Sequence, residues 1–163
     1  MKRLSSQRIA ILVDNQNIYL YCKTMEHIGP DYQYIMDMVG NREVVRALMY
    51  NITPDNVDQT RFLNVVEDMG WEIRSKAPHR FPDGSRKEDW DMQIAVDALS
   101  IADKVDAIML VSGDGDFVPL VHALKARGVR VEVASFPGNT SGELTRTADA
   151  YLPLRNEAFL RKE

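Results

Sequence analysis

Aspartates follow two strongly apolar segments of the sequence, at the point where each segment ends. Asp14 comes directly after the run 9–13, and Asp114 and Asp116 follow the run 107–111 on a glycine-containing turn. Packing gives no ready reason for acids at the ends of two buried strands, whereas carboxylate oxygens are the ligands that Mg²⁺ and Mn²⁺ prefer. One or two such ions can lower the pKa of a water molecule and stabilise the leaving oxygen of a phosphodiester. The pattern therefore indicates metal-dependent hydrolysis of phosphodiesters.

A further acid, Asp91, lies near the start of a helix that the periodicity predicts over residues 88–103. It shares one side of that helix with Ala95, so it should point towards the sheet. An inward carboxylate without a partner is costly, and a metal or a basic partner is therefore expected. Asn15 and Asn17, close behind the first aspartate, are placed to hydrogen-bond a metal-bound water or a phosphate.

Each of these acids also has an ordinary structural explanation. Asp14 suits a turn or the N-cap of the next helix, and Asp116 suits the N-cap of a helix over 117–127. Asp97 lies about 9 Å along the helix from Asp91 and is expected to be structural. The metal hypothesis is favoured over these structural explanations because four acids converge on one edge of the predicted sheet, namely Asp14, Asp91, Asp114 and Asp116.

The order of apolar runs and helical periodicities predicts an α/β fold. Strands are expected over 8–14, 43–51, 71–74, 106–112, 129–135 and 151–153. Helices are expected over 16–27, 34–39, from Thr53 to Gly70, 88–103, 116–127 and 141–148. The alternation predicts a three-layer α/β/α sandwich with a mainly parallel sheet of five or six strands in the order 3-2-1-4-5. In that order the first and fourth strands are neighbours about 4.8 Å apart, so Asp14 and Asp114 should emerge side by side.

Length and composition predict one globular domain over residues 1–163, with its core at about 8–153. The single cysteine, Cys22, excludes an internal disulfide and a metal site built on thiolates. The net charge of −4 argues against a general nucleic-acid coat protein but is compatible with an acidic metal site. The amino-terminal apolar run is short and ends at Asp14, so neither a signal peptide nor a membrane span is expected. We therefore expect a cytoplasmic protein that does not bind membranes, with a homo-oligomer left open.

Basic residues are concentrated between the third strand and the helix of Asp91. They are Arg74, Lys76, Arg80, Arg86 and Lys87, interleaved with Trp71, His79 and Phe81. Such a mixture can hold phosphates and stack unpaired bases, so it predicts a groove for single-stranded or structured RNA. A solvated loop with unrelated charges is an equally open alternative.

Three segments resemble motifs of the NYN domain family, which is also called LabA-like. The segment LVDNQN at 12–17 resembles the family's opening V-D-x-x-N, and WDMQIAVD at 90–97 resembles its V-D-x-x-L-A-x-D helix. The segment SGDGDFVPL at 112–120 resembles its S-G-D-x-D-F-x-P-L motif. Three motifs in this order are specific, and the resemblance covers residues 8–153.

The resemblance implies a PIN-like, Rossmann-like fold and metal-dependent ribonuclease activity. It implies that Mg²⁺ or Mn²⁺ is held by four aspartates, Asp14, Asp91, Asp114 and Asp116. It also implies that Asn17 assists catalysis and that Ser112 braces the turn, and we count Asn15 and Ser112 among the substrate-binding candidates. The family often has a lysine three residues before the helix aspartate, where this sequence has Glu88 and Lys87 comes one residue earlier.

Hypotheses from more than one class follow from the sequence. The first is an endoribonuclease that uses Mg²⁺ or Mn²⁺ at the acidic residues. The second is a non-catalytic RNA-binding or regulatory module that keeps the same fold. A phosphatase that forms an aspartyl-phosphate on Asp14 is disfavoured, because Gln16 stands where that chemistry needs a second acid.

Overall fold

A computed structural model describes residues 1–87 and 89–162, and its centre is a six-stranded sheet. The strands of that sheet are β1 (Arg8–Asp14), β2 (Glu43–Ile52), β3 (Glu72–Lys76), β6 (Ala107–Val111), β7 (Arg130–Ser135) and β8 (Ala150–Pro153). The remaining two strands, β4 (His79–Arg80) and β5 (Arg86–Lys87), pair with each other as a short antiparallel hairpin.

The strands of the main sheet are all parallel and lie in the order β3-β2-β1-β6-β7-β8. This arrangement confirms the predicted strand order, with β8 added at one edge. Along β1, Val13 lies opposite Val111 of β6, while Asp14 lies opposite Tyr50 of β2. The carboxyl ends of β1 and β6 are therefore neighbours, as the sequence predicted.

Helices cover both faces of the sheet, which confirms the predicted α/β/α sandwich. They are α1 (Asn15–Thr24), α2 (Tyr32–Asp37), α3 (Thr60–Asp68), α4 (Asp91–Ile101), α5 (Val118–Ala126) and α6 (Gly142–Thr147). Helices α1, α2 and α3 pack against one face, and α4, α5 and α6 pack against the other. Within residues 1–87 and 89–162, no helix has the length and apolar character that a bilayer crossing requires.

Successive residues of β1 face opposite layers, as the two-residue period of a strand requires. Ile9, Ile11 and Val13 belong to the core beneath α1, α2 and α3, whereas Ala10 and Leu12 belong to the core beneath α4 and α5. Both sets of side chains are fully buried, which explains the continuous apolar run.

Two segments differ from the elements that the sequence predicted. The helix expected from Thr53 begins only at Thr60, because Asn56 has a positive φ of 59° and residues 53–59 form a loop. The Asp58 carboxylate accepts hydrogen bonds from the Thr60 backbone N–H at 2.9 Å and from its hydroxyl at 2.6 Å, and so fixes the later start. The expected loop over 77–86 contains the β4–β5 hairpin, which turns through Gly84 at a φ of 85°.

A buried group of three charges lies inside the sheet, away from the acidic edge. Glu132 of β7 is fully buried, and Arg42 donates to its two oxygens at 2.8 Å each. The Arg130 Nε also donates to Glu132, at 2.8 Å. Burial acts to raise the pKa of Glu132, but these hydrogen bonds outweigh it and hold the pKa below its ordinary value. The carboxylate is therefore charged and depends on both arginines.

Candidate metal centre

Two of the predicted acids meet because β1 and β6 are adjacent. Asp14 is the last residue of β1 and is only 5% exposed. The fully buried Ser112, just after β6, donates its hydroxyl to Asp14 Oδ2 at 3.0 Å. The same Ser112 oxygen accepts the backbone N–H of Asp114 at 3.2 Å. Ser112 thus joins the two acids, and its observed contacts brace the site.

Asp91 reaches the same place from above the sheet. It is the first residue of α4, whose inward stripe of Ile94, Ala98 and Ile101 is buried against β1 and its neighbours. Each of Asp14, Asp91 and Asp114 offers a carboxylate oxygen, and these three oxygens all lie within 4.8 Å of one another. We call these three residues the acidic triad.

The electrostatics of the acidic triad favour either protons or a cation. Burial raises the pKa of Asp14 from 3.8 to about 6, and the charges of Asp114 and Asp89 add to the increase. The Ser112 hydroxyl acts in the opposite direction without cancelling it. Burial also raises the pKa of Asp91 to about 6, with further increases from Asp14 and Asp114. Near neutral pH the charges of Asp14 and Asp91 are therefore unfavourable, first because of burial and then because of the neighbouring carboxylates.

The donor set fits a hard divalent cation. All three donors are carboxylates, which suit Mg²⁺, Mn²⁺ or Ca²⁺ better than the softer metals. Three protein oxygens leave coordination positions for water and for a phosphate, as Mg²⁺ sites commonly do. The structure thus supports a metal site at the triad without selecting the metal.

Asp89 is an acid near the triad that the sequence analysis missed. Its Oδ1 accepts the backbone N–H of Asp91 at 3.2 Å, and its charge raises the pKa of both Asp14 and Asp91. A sequence signal was available, because acids just before a helix often accept its first free N–H groups. Its position two residues before Asp91 was therefore a signal that Asp89 could lie beside the metal site.

Asp116 lies outside the acidic triad. It sits on a single 3₁₀ turn over residues 115–117, and its backbone N–H donates to Asp114 Oδ1 at 2.9 Å. Asp114 caps this turn, and no side chain caps α5, which was the structural role considered for Asp116. Its charge still contributes to the raised pKa of Asp91, so Asp116 lies close enough to act on the site.

Helix capping and membership of the triad coexist at Asp14. Its Oδ1 accepts the backbone N–H of Asn17 at 3.4 Å, so it also serves as the N-cap of α1. The structural explanation that the sequence suggested is correct for this residue and does not displace the metal hypothesis. One oxygen caps the helix, while the other accepts the Ser112 hydroxyl.

Asn17 holds the turn that carries Asp114. Its Oδ1 accepts the backbone N–H of Gly113 at 3.0 Å and the side-chain amide of Asn139 at 3.4 Å. A Cβ at Gly113 would lie 1.8 Å from the backbone oxygen of Asn139, so only glycine fits there. Asn17 therefore positions the acidic turn.

Asn15 occupies the opposite face of the sheet from the triad. It is 4% exposed, donates to Asn51 Oδ1 at 3.1 Å and accepts the Tyr32 hydroxyl at 2.5 Å. Asn15 begins α1 directly after the strand, and its side chain lies on the face that α1, α2 and α3 cover. Asn15 belongs to the wall of a cavity rather than to the triad.

The predicted basic groove contains cations that already have partners. Arg74 forms an ion pair with Asp97 at 3.6 Å, and Arg80 forms one with Asp55. The Lys76 ammonium donates to the backbone oxygen of Asp89 at 2.6 Å and lies 4.1 Å from the centre of the Trp90 ring. Arg86 and Lys87 complete the predicted set, and their side chains lie outside the described part of the structure.

Asp97 has the structural role that the sequence predicted. It accepts the Tyr50 hydroxyl at 2.6 Å and the Gln93 amide at 2.9 Å, in addition to pairing with Arg74. These contacts tie α4 to β2 and to the middle of β3. Asp97 is accordingly absent from the acidic triad.

The fold and the acidic edge define the class of protein, and comparison with known families agrees. A model of the NYN domain matches residues 8–155, and the chain belongs to the NYN domain family. Proteins of this family are typically nucleases with a PIN-like fold, which implies a nucleic acid as the substrate.

Individual relatives are similar over most of the chain. The "Low amplitude and bright protein LabA" of Synechococcus elongatus is 28% identical over 95% of this chain and 88% of its own. An uncharacterised protein of Methanocaldococcus jannaschii is 25% identical over 99% of this chain, which spans 61% of that relative. The crystal structure of a Vibrio parahaemolyticus protein of unknown function has a TM-score of 0.87 and 36% identity, covering 98% of this chain and 100% of that one.

Proposed function

We propose that the protein is a ribonuclease that hydrolyses RNA phosphodiester bonds with the help of Mg²⁺ or Mn²⁺. The acidic triad is the observation that carries this proposal, because residues far apart in sequence place three carboxylates within 4.8 Å of one another. The proposal is supported by the raised pKa values of Asp14 and Asp91, which come first from burial and then from the neighbouring carboxylates. A divalent cation would relieve the repulsion among these carboxylates.

Each acidic residue has a distinct proposed role. Asp14, Asp91 and Asp114 hold the metal, and Asp116 at the rim is the fourth ligand or the residue that orients the attacking water. When bound by these residues, a divalent ion would supply an acidified water and positive charge for the phosphodiester. Ser112 keeps Asp14 turned towards Asp114 through its two hydrogen bonds. Asn17 contributes to catalysis by fixing the turn that carries Asp114.

The proposed RNA path follows the carboxyl edge of the sheet from β3 towards the acidic triad. Lys76 lies at the start of this path, since its ammonium contacts the backbone of Asp89 near the first turn of α4. Arg74, Arg80, Arg86 and Lys87 complete the proposed phosphate-binding set. Arg74 and Arg80 are exposed enough to exchange a carboxylate partner for a phosphate, because exposed ion pairs are worth at most about 1 kcal/mol.

Metal dependence provides the direct test of the proposed function. Purified protein is incubated with end-labelled single-stranded RNA in Mg²⁺ or Mn²⁺, with and without excess EDTA. We expect cleavage that EDTA stops and that Asp14→Asn abolishes. Asp103→Asn, at an exposed aspartate on the turn after α4, is the matched control and should cleave normally. Cleavage that survives in EDTA, or in Asp14→Asn, would refute the proposed mechanism.

Metal binding itself gives a second measurement that does not depend on turnover. Titration calorimetry with Mn²⁺ should show binding to the wild type and to Asp103→Asn, and much weaker binding to Asp14→Asn. RNA affinity without turnover at any concentration of Mg²⁺ or Mn²⁺ would instead support the non-catalytic RNA-binding alternative.

A further inference from the structure

A cavity of about 660 Å³ opens on the face of the sheet opposite to the acidic triad. Aromatic side chains from three helices contribute to its walls, namely Tyr19 of α1, Tyr32 of α2 and Phe62 of α3. Its volume lies in the range of sites for small organic ligands, which are mostly apolar with a few fixed polar groups. This face therefore offers a built site that the metal chemistry does not use.

The polar wall of this cavity is a chain of hydrogen-bonded side chains. The Tyr32 hydroxyl donates to Asn15, Asn15 donates to Asn51, and Asn51 donates to Gln59 Oε1 at 2.8 Å. Asn15 and Asn51 are at most 4% exposed. Burying two asparagine amides is costly unless each is bonded, and here each is bonded at both ends. These hydrogen bonds connect α1, α2 and β2 with the residue before α3.

Gln59 is the end of this chain at which hydrogen-bond donors remain. Its oxygen is fixed by Asn51, while its Nε2 has no partner among the described residues. Although Gln59 stands directly before α3, its side chain does not cap that helix. An amide with a fixed acceptor and free donors is suited to a ligand that presents a carbonyl or ring-nitrogen acceptor.

The cavity wall is connected to the acidic triad at two points. Asn15 directly follows Asp14 in the chain. Trp90, which directly precedes Asp91, donates its indole N–H to the backbone oxygen of Asn51 at 2.9 Å. Two residues of the triad are thus each adjacent in sequence to a residue that builds or holds the cavity wall. A strand that crosses the sheet edge can engage both sites.

The charge around the cavity selects against phosphate. Asp55 and Asp58 both line it, and hydrogen bonds from the Thr60 hydroxyl and backbone lower the pKa of Asp58 and keep it charged. Asp55 pairs with Arg80, which leaves little positive charge for an anion inside. A neutral, planar and largely apolar group with hydrogen-bonding edges fits these walls, and its phosphates would remain outside.

We propose that this cavity receives one unstacked base of the RNA strand, next to the phosphodiester at the acidic triad. The inference rests on the proposed function and specifies the substrate of that ribonuclease. The substrate is single-stranded RNA that carries a base at one fixed position relative to the cleaved bond. Base capture on one face of the sheet places the scissile phosphate on the other, because the edge of β1 and β2 separates the two sites. Phe62 supplies an aromatic wall for the base, and Gln59 supplies the donor.

Short RNAs that each lack one base test this proposal. Each ten-nucleotide substrate carries a single abasic site with the phosphate backbone intact, and kcat/KM is measured in Mg²⁺. In the wild type we expect one abasic position, at a fixed distance from the cleaved bond, to lower kcat/KM about tenfold, as loss of one stacked base typically does. Phe62→Ala should remove most of that penalty. Val96→Ala, exposed on α4 and outside the cavity, is the matched truncation and should keep it.

Gln59→Leu separates hydrogen bonding from cavity shape, since it keeps much of the side-chain volume and removes both donors. We expect it to weaken discrimination among bases at that one position. The Tm should fall only by a few degrees, because the buried Asn51 amide loses Gln59 Oε1 but keeps Ser75 Oγ at 3.2 Å as an acceptor. A penalty of the same size in wild type and Phe62→Ala, or an equal effect of every abasic position, would overturn the proposal.

The design also distinguishes failure of this inference from failure of the nuclease. If no substrate is cleaved, the affinity of the same RNAs is measured by fluorescence anisotropy. Base-dependent affinity that Phe62→Ala removes would support the cavity even in a protein without turnover. Affinity that is independent of base position in both proteins would overturn it.

Discussion

Replacing Asp14 by asparagine should stabilise the metal-free protein above pH 7. In the wild type this carboxylate is 5% exposed and shares its site with the carboxylates of Asp91 and Asp114. The variant removes one charge from that site. It also lowers the pKa of Asp91, because the charge of Asp14 no longer raises it. Asp14, which the proposed activity requires, is therefore expected to lower the free energy of unfolding of the metal-free protein.

The magnitude follows from the pKa of Asp14, which rises from 3.8 to about 6. Each unit corresponds to 1.36 kcal/mol, so the ionised form costs the fold about 3 kcal/mol. Burial is the largest part of this cost, and the charges of Asp114 and Asp89 add to it. The asparagine loses one of the two hydrogen bonds that Asp14 accepts, which costs about 1 kcal/mol. The net gain is about 2 kcal/mol, or about 4–8 °C in Tm for a chain of this length.

The pH dependence has a definite sign. Because the folded-state pKa of Asp14 lies above its unfolded value, the folded state holds more protons between about pH 4 and 6. Wild-type stability is therefore present below that window and is lost as the pH rises through about 6. The advantage of Asp14→Asn should be full at pH 8 and should shrink or reverse near pH 4, where only its lost hydrogen bond remains.

Urea unfolding followed by circular dichroism at pH 8 and pH 5, in EDTA, measures this difference. Asp103→Asn removes an exposed charge and should match the wild type at both values of pH. Adding Mg²⁺ should stabilise the wild type by about 2.7 kcal/mol at 100 times its Kd and should have far less effect on Asp14→Asn. A variant that is less stable than the wild type at pH 8 in EDTA would contradict the repulsion on which the metal site depends.

Further substitutions test the framework of the site. Arg42→Met should lower the free energy of unfolding by about 3 kcal/mol in urea titrations, because it removes a partner of the buried Glu132. Arg46→Met, at an exposed ion pair, should lower it by less than about 1 kcal/mol, and an equal loss would contradict the role given to burial. Gly113→Ala should lower the free energy of unfolding by about 3 kcal/mol, with a lower Tm, and should reduce cleavage. The new Cβ would lie 1.8 Å from the backbone oxygen of Asn139. Gly29→Ala places its Cβ in ordinary contact at 3.6 Å and should leave both values near wild type.

The architecture was largely predictable from the sequence because its signals are local and mutually consistent. Continuous apolar runs marked the buried parallel strands, and the intervening helical periodicities implied crossover connections between parallel neighbours. Once β1 and β6 are adjacent, Asp14 and Asp114 must lie together at the same edge, and that expectation is confirmed. Helix starts were less predictable, since α3 begins at Thr60, whose backbone N–H donates to the Asp58 side chain before the N-cap residue.

The partners of individual side chains were not predictable in the same way. The sequence grouped Arg74, Lys76 and Arg80 by their spacing, but their contacts with Asp97, Asp89 and Asp55 depend on how β3, α4 and the loop after β2 pack together. Asp116 shares a motif with Asp114, yet the 3₁₀ turn directs the two carboxylates differently. Such choices depend on distances of a few ångströms, which residue types and spacing do not specify.

Hydrophobic period and chain connectivity act over whole elements, so residue types and spacing were enough to predict the order of the strands and the edge at which the acids gather. The packed fold was needed to show that Asp14, Asp91 and Asp114 form the triad, that Asp89 lies beside it and that Asn15 lines a cavity on the other face. Electrostatic and hydrogen-bond energies change steeply over a few ångströms, and those distances are set only when the elements pack together.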